Sequence, residues 1–185
     1  MTPTREAMQA VFDEADCLHT EAEVDAAIDK VAREITETLA DANPLVFCVM
    51  TGGLIFSGRL LPKLLFPLEL HYIHATRYRL ETTGGILDWL VEPRVPLRDR
   101  TILILDDILD EGTTLAAIEE YCLKKGAARV YTSVLVDKQH DRKARPGMKC
   151  DFTGMEVEDR FLFGYGMDYK GYWRNAPGIY AVKGL

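Results

Sequence analysis

The chain predicts an α/β fold, with a central, mostly parallel sheet flanked by helices and a small hood lobe over the carboxyl ends of the strands. Three observations carry this expectation. Apolar runs at residues 45–50, 101–105 and 130–136 have strand length and β-branched or aromatic content. Stretches of helical length separate them, and glycines mark the strand-to-helix junctions at Gly52-Gly53 and Gly112. After Asp141 the pattern loosens into short strand-like pieces, which supply the lobe.

Taken in order, Thr2-Pro3 reads as a helix start, with proline at the first helical position. Thr20 and Glu23 fit a capping box, and Val24, Ala27, Ile28, Val31, Ile35 and Leu39 recur behind them at helical spacing. Asn43-Pro44 stops that helix. The strand at 45–50 leads into a second helix over 54–65, perturbed by Pro62. Residues 68–75 read as a strand, and the polar, glycine-containing stretch 77–91 as a long loop or a hairpin. The strand at 101–105 feeds a helix over 114–125 that Gly126 ends, followed by the strand at 130–136. Short strands are expected near Phe152, at 161–163 and at 179–182. The chain therefore reads as one domain over 1–185: an N-terminal helical segment (1–44), a core sheet (45–140) and a hood (141–185).

The 185 residues are 48% hydrophobic, enough for a sizeable core. A net charge of -7 argues against duplex nucleic acid as a partner, because such binders carry a basic face. No apolar run approaches the ~20 residues a membrane span needs. Cys17, Cys48, Cys122 and Cys150 form no C-x-x-C pair and read as free thiols of a cytoplasmic protein.

The densest chemistry lies in TILILDDILDEGTTL, residues 101–115. An apolar strand delivers Asp106 and Asp107, then Asp110, and Gly112 allows a tight turn into a helix that Thr113 and Thr114 open. Open backbone N–H groups at a helix start suit a phosphate monoester. Neighbouring carboxylates suit ribose hydroxyls and Mg2+, a hard cation that prefers oxygen ligands. Four carboxylates within 106–111 are costly without a cation nearby. A solvated acidic loop is the plain alternative. A D-D-x-x-D diphosphate site is the sharper one, but such motifs lie on helices and come in pairs, whereas this one follows a strand and is single.

DDILDEGTT resembles the phosphoribosyl pyrophosphate (PRPP) motif of type I phosphoribosyltransferases. Further segments are similar, in order, to the hypoxanthine-guanine branch of that family, so the resemblance spans about residues 45–182. It implies the type I fold and transfer of a 5-phosphoribosyl group from PRPP to a 6-oxopurine, giving a nucleoside monophosphate and pyrophosphate with Mg2+ as cofactor. By the resemblance, Asp106 and Asp107 hold the ribose and the metal, and Glu111, Gly112, Thr113 and Thr114 hold the 5-phosphate. Asp110 works at N7 of the base. Thr51 and Gly52 form a pyrophosphate loop that follows an often cis peptide, and Arg174 contacts the same pyrophosphate. Lys138 reads the 6-oxo group, to which an ammonium donates; it cannot accept from a 6-amino group. Phe161 stacks on the purine, Leu162 meets the base edge through its backbone, and Asp168 lies near the 2-position and the metal.

Two departures stand out. Arg77-Tyr78 occupies the place of the Ser-Tyr pair that opens the family's mobile lid, and Glu111 stands where a threonine is usual. The Glu111 carboxylate would repel a phosphate, so it is expected to point away while its N–H serves the ligand. An enzyme for xanthine, adenine or a pyrimidine remains an alternative within the superfamily, and a PRPP- or nucleotide-sensing regulator one outside enzymology. The negative charge and the lack of room for a nucleic-acid-binding domain weigh against the regulator. The family implies a homodimer or homotetramer.

Overall fold

The computed structural model describes residues 2–77 and 87–185. Helix α1 (Arg5–Glu14) is capped by Thr4, whose side chain accepts the Ala7 N–H at 3.2 Å. The helix therefore starts later than Thr2-Pro3 suggested. Strand β1 (Asp16–Thr20) follows, then α2 (Glu21–Leu39), which opens with the expected capping box. The Thr20 hydroxyl accepts the Glu23 N–H at 3.4 Å, and the Glu23 carboxylate accepts the Thr20 N–H at 2.8 Å. After β2 (Leu45–Val49), α3 (Gly53–Leu60) tightens into a three-residue 3-10 turn over Leu61–Lys63. The helix stops short of residue 65 because Pro62 supplies no N–H for a further α-helical bond.

Strands β3 (Glu69–Arg77), β4 (Leu87–Val91) and β5 (Thr101–Leu109) come next. Helix α4 (Thr113–Lys124), β6 (Arg129–Gln139) and β7 (Phe152–Glu158) complete the core, and β8 (Leu162–Phe163) and β9 (Gly178–Ala181) end the chain. The main sheet has the order β4-β3-β2-β5-β6-β7. All its pairings are parallel except β3 with β4. Of the 77–91 stretch, residues 87–91 form an antiparallel edge strand on β3, and residues 78–86, where the loop or the turn of a hairpin was expected, lie outside the described residues.

Side chains alternate across the sheet. Val46, Leu103 and Leu105 face α2 and α3, packing on Val24, Ile28, Val31, Ile35, Phe56 and Leu60. Leu45, Phe47, Ile102 and Ile104 face α4, packing on Leu115, Ile118 and Cys122. Each such fully buried side chain contributes roughly 1.5–3 kcal/mol. This is the doubly covered sheet that continuous apolar strands require.

Two boundaries differ from expectation. The core sheet extends past residue 140, because β7 pairs in parallel with β6 through Ser133↔Phe152 to Gln139↔Glu158. The segment 1–44 is not purely helical, because β1 joins the hood sheet β1-β9-β8 by pairing with β9 from Asp16↔Ala181 to Thr20↔Gly178. Five residues with a half-exposed pattern give little period to read, and the edge that recruits them lies at the far end of the chain. Phe12 of α1 stacks on Trp173 at 4.7 Å and packs with Phe163 and Tyr180, fastening that helix to the hood.

Replacing Thr20 with alanine removes the capping hydroxyl. Chemical denaturation is expected to show a loss of about 1 kcal/mol with an unchanged m-value.

Candidate active site

The carboxyl end of β5 carries the acidic residues inward. The strand runs past the apolar residues because its ladder with β6 continues through Asp106↔Val134 and Ile108↔Val136 to Leu109↔Asp137. Backbone N–H groups partly satisfy the two carboxylates: Asp106 accepts from Asp107 at 3.0 Å, and Asp107 accepts from Ile108 at 2.8 Å. Burial, reinforced by repulsion from Asp107, holds the Asp106 carboxyl well above the usual carboxylate range. Burial also raises Asp107, while the Asp106 hydrogen bond, the Ile108 N–H and the Arg174 charge pull the other way. Such a pair is electrostatically short of positive charge.

Beyond it, Gly112 has φ 75, a left-handed conformation open to glycine, and no side-chain cap occupies the start of α4. The first-turn N–H groups of Thr113 and Thr114 therefore lie at the positive end of the helix dipole with no side-chain cap. Glu111, Gly112, Thr113 and Thr114 line a cavity of about 360 Å3 together with Asp106, Asp107 and Asp110. The Glu111 carbonyl accepts the Ala144 N–H at 2.7 Å, tying this loop to the segment after β6.

At the end of β2 the Met50–Thr51 peptide is cis, and Gly52 precedes α3 with no side-chain cap. A Cβ at Gly52 would lie 2.2 Å from Asp107 Oδ2, so only glycine lets this turn sit against that carboxylate. Arg174 reaches the same region from the hood. Its Nη1 donates to the Gly166 carbonyl at 2.5 Å and its Nη2 pairs with Asp168 Oδ1 at 2.5 Å. Asp168 also accepts the Gly171 N–H at 2.6 Å.

A second cavity of about 220 Å3 is lined by Lys138, Phe161, Leu162 and Asp168, and it shares Asp107, Ile108 and Asp110 with the first. Phe163 and Tyr165 are buried in the cores. Phe161 differs: it is 43% exposed and meets Tyr169 edge-on at 5.4 Å, leaving a ring face available. Lys138 Nζ lies 3.3 Å from Asp110 Oδ2 and 3.4 Å from Asp159 Oδ1.

Several residues here escaped the sequence reading. His140 Nε2 lies 2.6 Å from Asp110 Oδ1. Arg142 grips Asp159 with two bonds of 2.8 and 2.9 Å, and this guanidinium is the first cause that holds the Asp159 carboxyl well below the usual range. Lys143 Nζ donates to the Leu109 and Lys138 carbonyls and to Asp137, at 2.7, 2.8 and 2.7 Å, pinning β5 to β6 directly beneath the site. Strand period offered one signal: Lys138 near the end of β6 and His140 just beyond it are two apart, and both reach Asp110.

The lid pair is the exception to this convergence. Arg77 ends β3, its backbone paired with Leu87, and Tyr78 lies outside the described residues. Among the described residues no three His, Cys, Asp or Glu side chains form a metal cage, and Asp168 is engaged by Arg174. Asp106 and Asp107 nevertheless fit a divalent cation, as an oxygen-only, charge-deficient pair. Mg2+ commonly takes one or two carboxylates and completes its shell with water and substrate phosphate.

The raised Asp106 value fixes the sign of a pH effect. A native carboxyl that ionises later than its unfolded counterpart costs stability at high pH and not below the unfolded value. In metal- and ligand-free protein, Asp106→Asn is expected to raise stability by on the order of 1 kcal/mol at pH 8, with the gain vanishing towards pH ~4. Melting curves across that range check it.

Residues 15–170 match the phosphoribosyl transferase domain family. The chain is 31% identical over 166 residues to the hypoxanthine-guanine-xanthine phosphoribosyltransferase of Tritrichomonas foetus, covering 90% of each protein. It is 32% identical over 167 residues to the hypoxanthine-guanine phosphoribosyltransferase of Bacillus subtilis strain 168, covering 90% of this chain and 92% of that one. A solved hypoxanthine-guanine-xanthine phosphoribosyltransferase superposes with a TM-score of 0.78 at 29% identity, covering 93% and 97% of the two chains. By likeness that runs through nine-tenths of its length, this chain belongs to the hypoxanthine-guanine phosphoribosyltransferase family.

Proposed function

We propose that the protein salvages purines, transferring the 5-phosphoribosyl group of PRPP to N9 of hypoxanthine or guanine to give IMP or GMP and pyrophosphate. One observation carries this reading: the two cavities meet at Asp107, Ile108 and Asp110, with Lys138 Nζ 3.3 Å from Asp110. A 6-oxopurine presents O6 and N7 side by side on one edge. An ammonium and a carboxylate at that separation complement an oxo acceptor and an N7–H donor.

The residues divide the work accordingly. Thr113, Thr114 and the N–H groups at Glu111 and Gly112 hold the 5-phosphate. Asp106 and Asp107 orient the ribose hydroxyls and would hold Mg2+, which would supply positive charge to the departing pyrophosphate. Thr51 and Gly52 offer backbone N–H groups to that pyrophosphate, and Arg174 offers its fork. Phe161 stacks on the base, the Leu162 backbone meets its edge, and Asp168, clamped to Arg174, borders the 2-position. As the C1–O bond to pyrophosphate breaks, the N9 lone pair bonds C1, and Asp110 accepts the N7 proton. Lys138 holds O6 in place throughout. By likeness to the family, Arg77 and Tyr78 would open a lid.

The partners are small molecules, with no nucleic acid or membrane. No helix among the described residues is long and apolar enough to cross a membrane. All four cysteines are free, which suits a cytoplasmic enzyme. The assembly we propose is a homodimer or homotetramer.

Pyrophosphate release from PRPP, with and without Mg2+, across hypoxanthine, guanine, xanthine and adenine tests the reading. Turnover with 6-oxopurines alone supports it, and turnover with adenine or with no base overturns it. Asp110→Ala is expected to lower kcat about 10^2- to 10^4-fold while PRPP binding survives. Lys138→Ala is expected to impair 6-oxopurine use far more than PRPP binding, read as separate KM values.

A further inference from the structure

We propose that His140 is a positioning residue that sets the orientation of Asp110, so that one carboxylate oxygen is held by the protein and the other is presented to the base. The proposal rests on the reading of Asp110 as the group that works at N7.

Geometry around the imidazole determines its proton. The backbone N–H of Arg142 donates to Nδ1 at 3.0 Å, so Nδ1 must carry a lone pair. A neutral imidazole has one N–H, which therefore sits on Nε2. Nε2 lies 2.6 Å from Asp110 Oδ1 and donates to it. The ring is rigidly placed, its side chain only 4% exposed, whereas the Asp110 side chain is 46% exposed and borders both cavities.

Asp110 follows the last residue of β5, on a loop without a strand ladder of its own. A short side chain there has two χ angles to settle, and one fixed donor on Oδ1 settles them. Oδ2 is then the oxygen beside Lys138 Nζ, so the carboxylate faces the pocket as one half of the O6/N7 reading pair. The arrangement does not act as a proton relay, because Nδ1 ends on a main-chain N–H and leads nowhere. It also belongs to a closed ring of contacts. Arg142, whose backbone fixes His140, grips Asp159 with its side chain, and Asp159 pairs with Lys138. The two groups that face the base are thus registered to each other through the chain segment after β6.

His140→Phe keeps the ring's shape and removes its donor. It is expected to lower kcat about 10- to 100-fold, the size of one hydrogen bond to a charged group, with KM for PRPP and the melting temperature unchanged. His140→Gln, which keeps a donor near the Nε2 position, is expected to recover most of that rate. In an Asp110→Ala background, His140→Phe is expected to cost nothing further. Long-range 15N–1H NMR spectra of the wild-type protein are expected to show His140 protonated on Nε2 alone. The proposal is overturned if His140→Phe turns over normally while Asp110→Ala does not. Equal loss in both backgrounds, a parallel loss of PRPP binding and stability, or a ring proton on Nδ1 would overturn it too. Normal turnover by Asp110→Ala would instead defeat the Asp110 reading, and this inference with it.

Discussion

Two adjacent carboxylates lie inside this protein because the β5–β6 ladder continues beyond the apolar residues that begin it. Asp106 and Asp107 are drawn into the interior by main-chain pairing on one side and by the Gly52 turn on the other. Their own chemistry opposes that placement, since burial favours both neutral acids and repulsion from Asp107 adds to it at Asp106. The fold meets this cost with the packing of Leu103, Leu105 and Ile104 just upstream, and with the Lys143 clamp across the ends of both strands. A pair left short of positive charge borders both cavities of the candidate site, and the function proposed above rests on it.

The base side shows a complementary logic. Lys138 is only 11% exposed, yet it has two carboxylate partners within 3.4 Å, so its charge is compensated when no base is present. On the function proposed above, Asp159 still holds it when Asp110 engages the base. A lysine with a single partner would exchange one hydrogen bond for another on binding, whereas this one would keep its second partner. A lysine so held would favour discrimination, because an amino group at the 6-position would meet an ammonium with no acceptor to offer.

The core and the turn from β5 into α4 were largely legible in the sequence, because both rest on local signals. Apolar runs of strand length, the Thr20–Glu23 box and the Gly112 turn each declare themselves within a few residues. The base end was read through likeness to a family, and the details it missed are those with long sequence separations. Nothing near Asp110 announces a histidine 30 residues on, and nothing near Asp16 announces pairing with Ala181. Helix α3 ended early where Pro62 was already visible, a case in which the breaker outweighed apolar periodicity. Of the aromatic residues in the 161–169 stretch, composition could not say which is core and which is ligand-facing; only burial separates Phe161 from Phe163.

The hood is knotted together from both extremities of the polypeptide, with β1 lying against β9 and the Trp173 indole donating to the Met8 carbonyl across 165 residues of chain. Both contacts span most of the chain, so neither can form until Trp173 and β9 have been made. During synthesis, the Gly112 turn at the end of β5 is therefore made well before the strand that closes the hood, and the wall that Leu162 gives the second cavity is the last part of the site to be fastened.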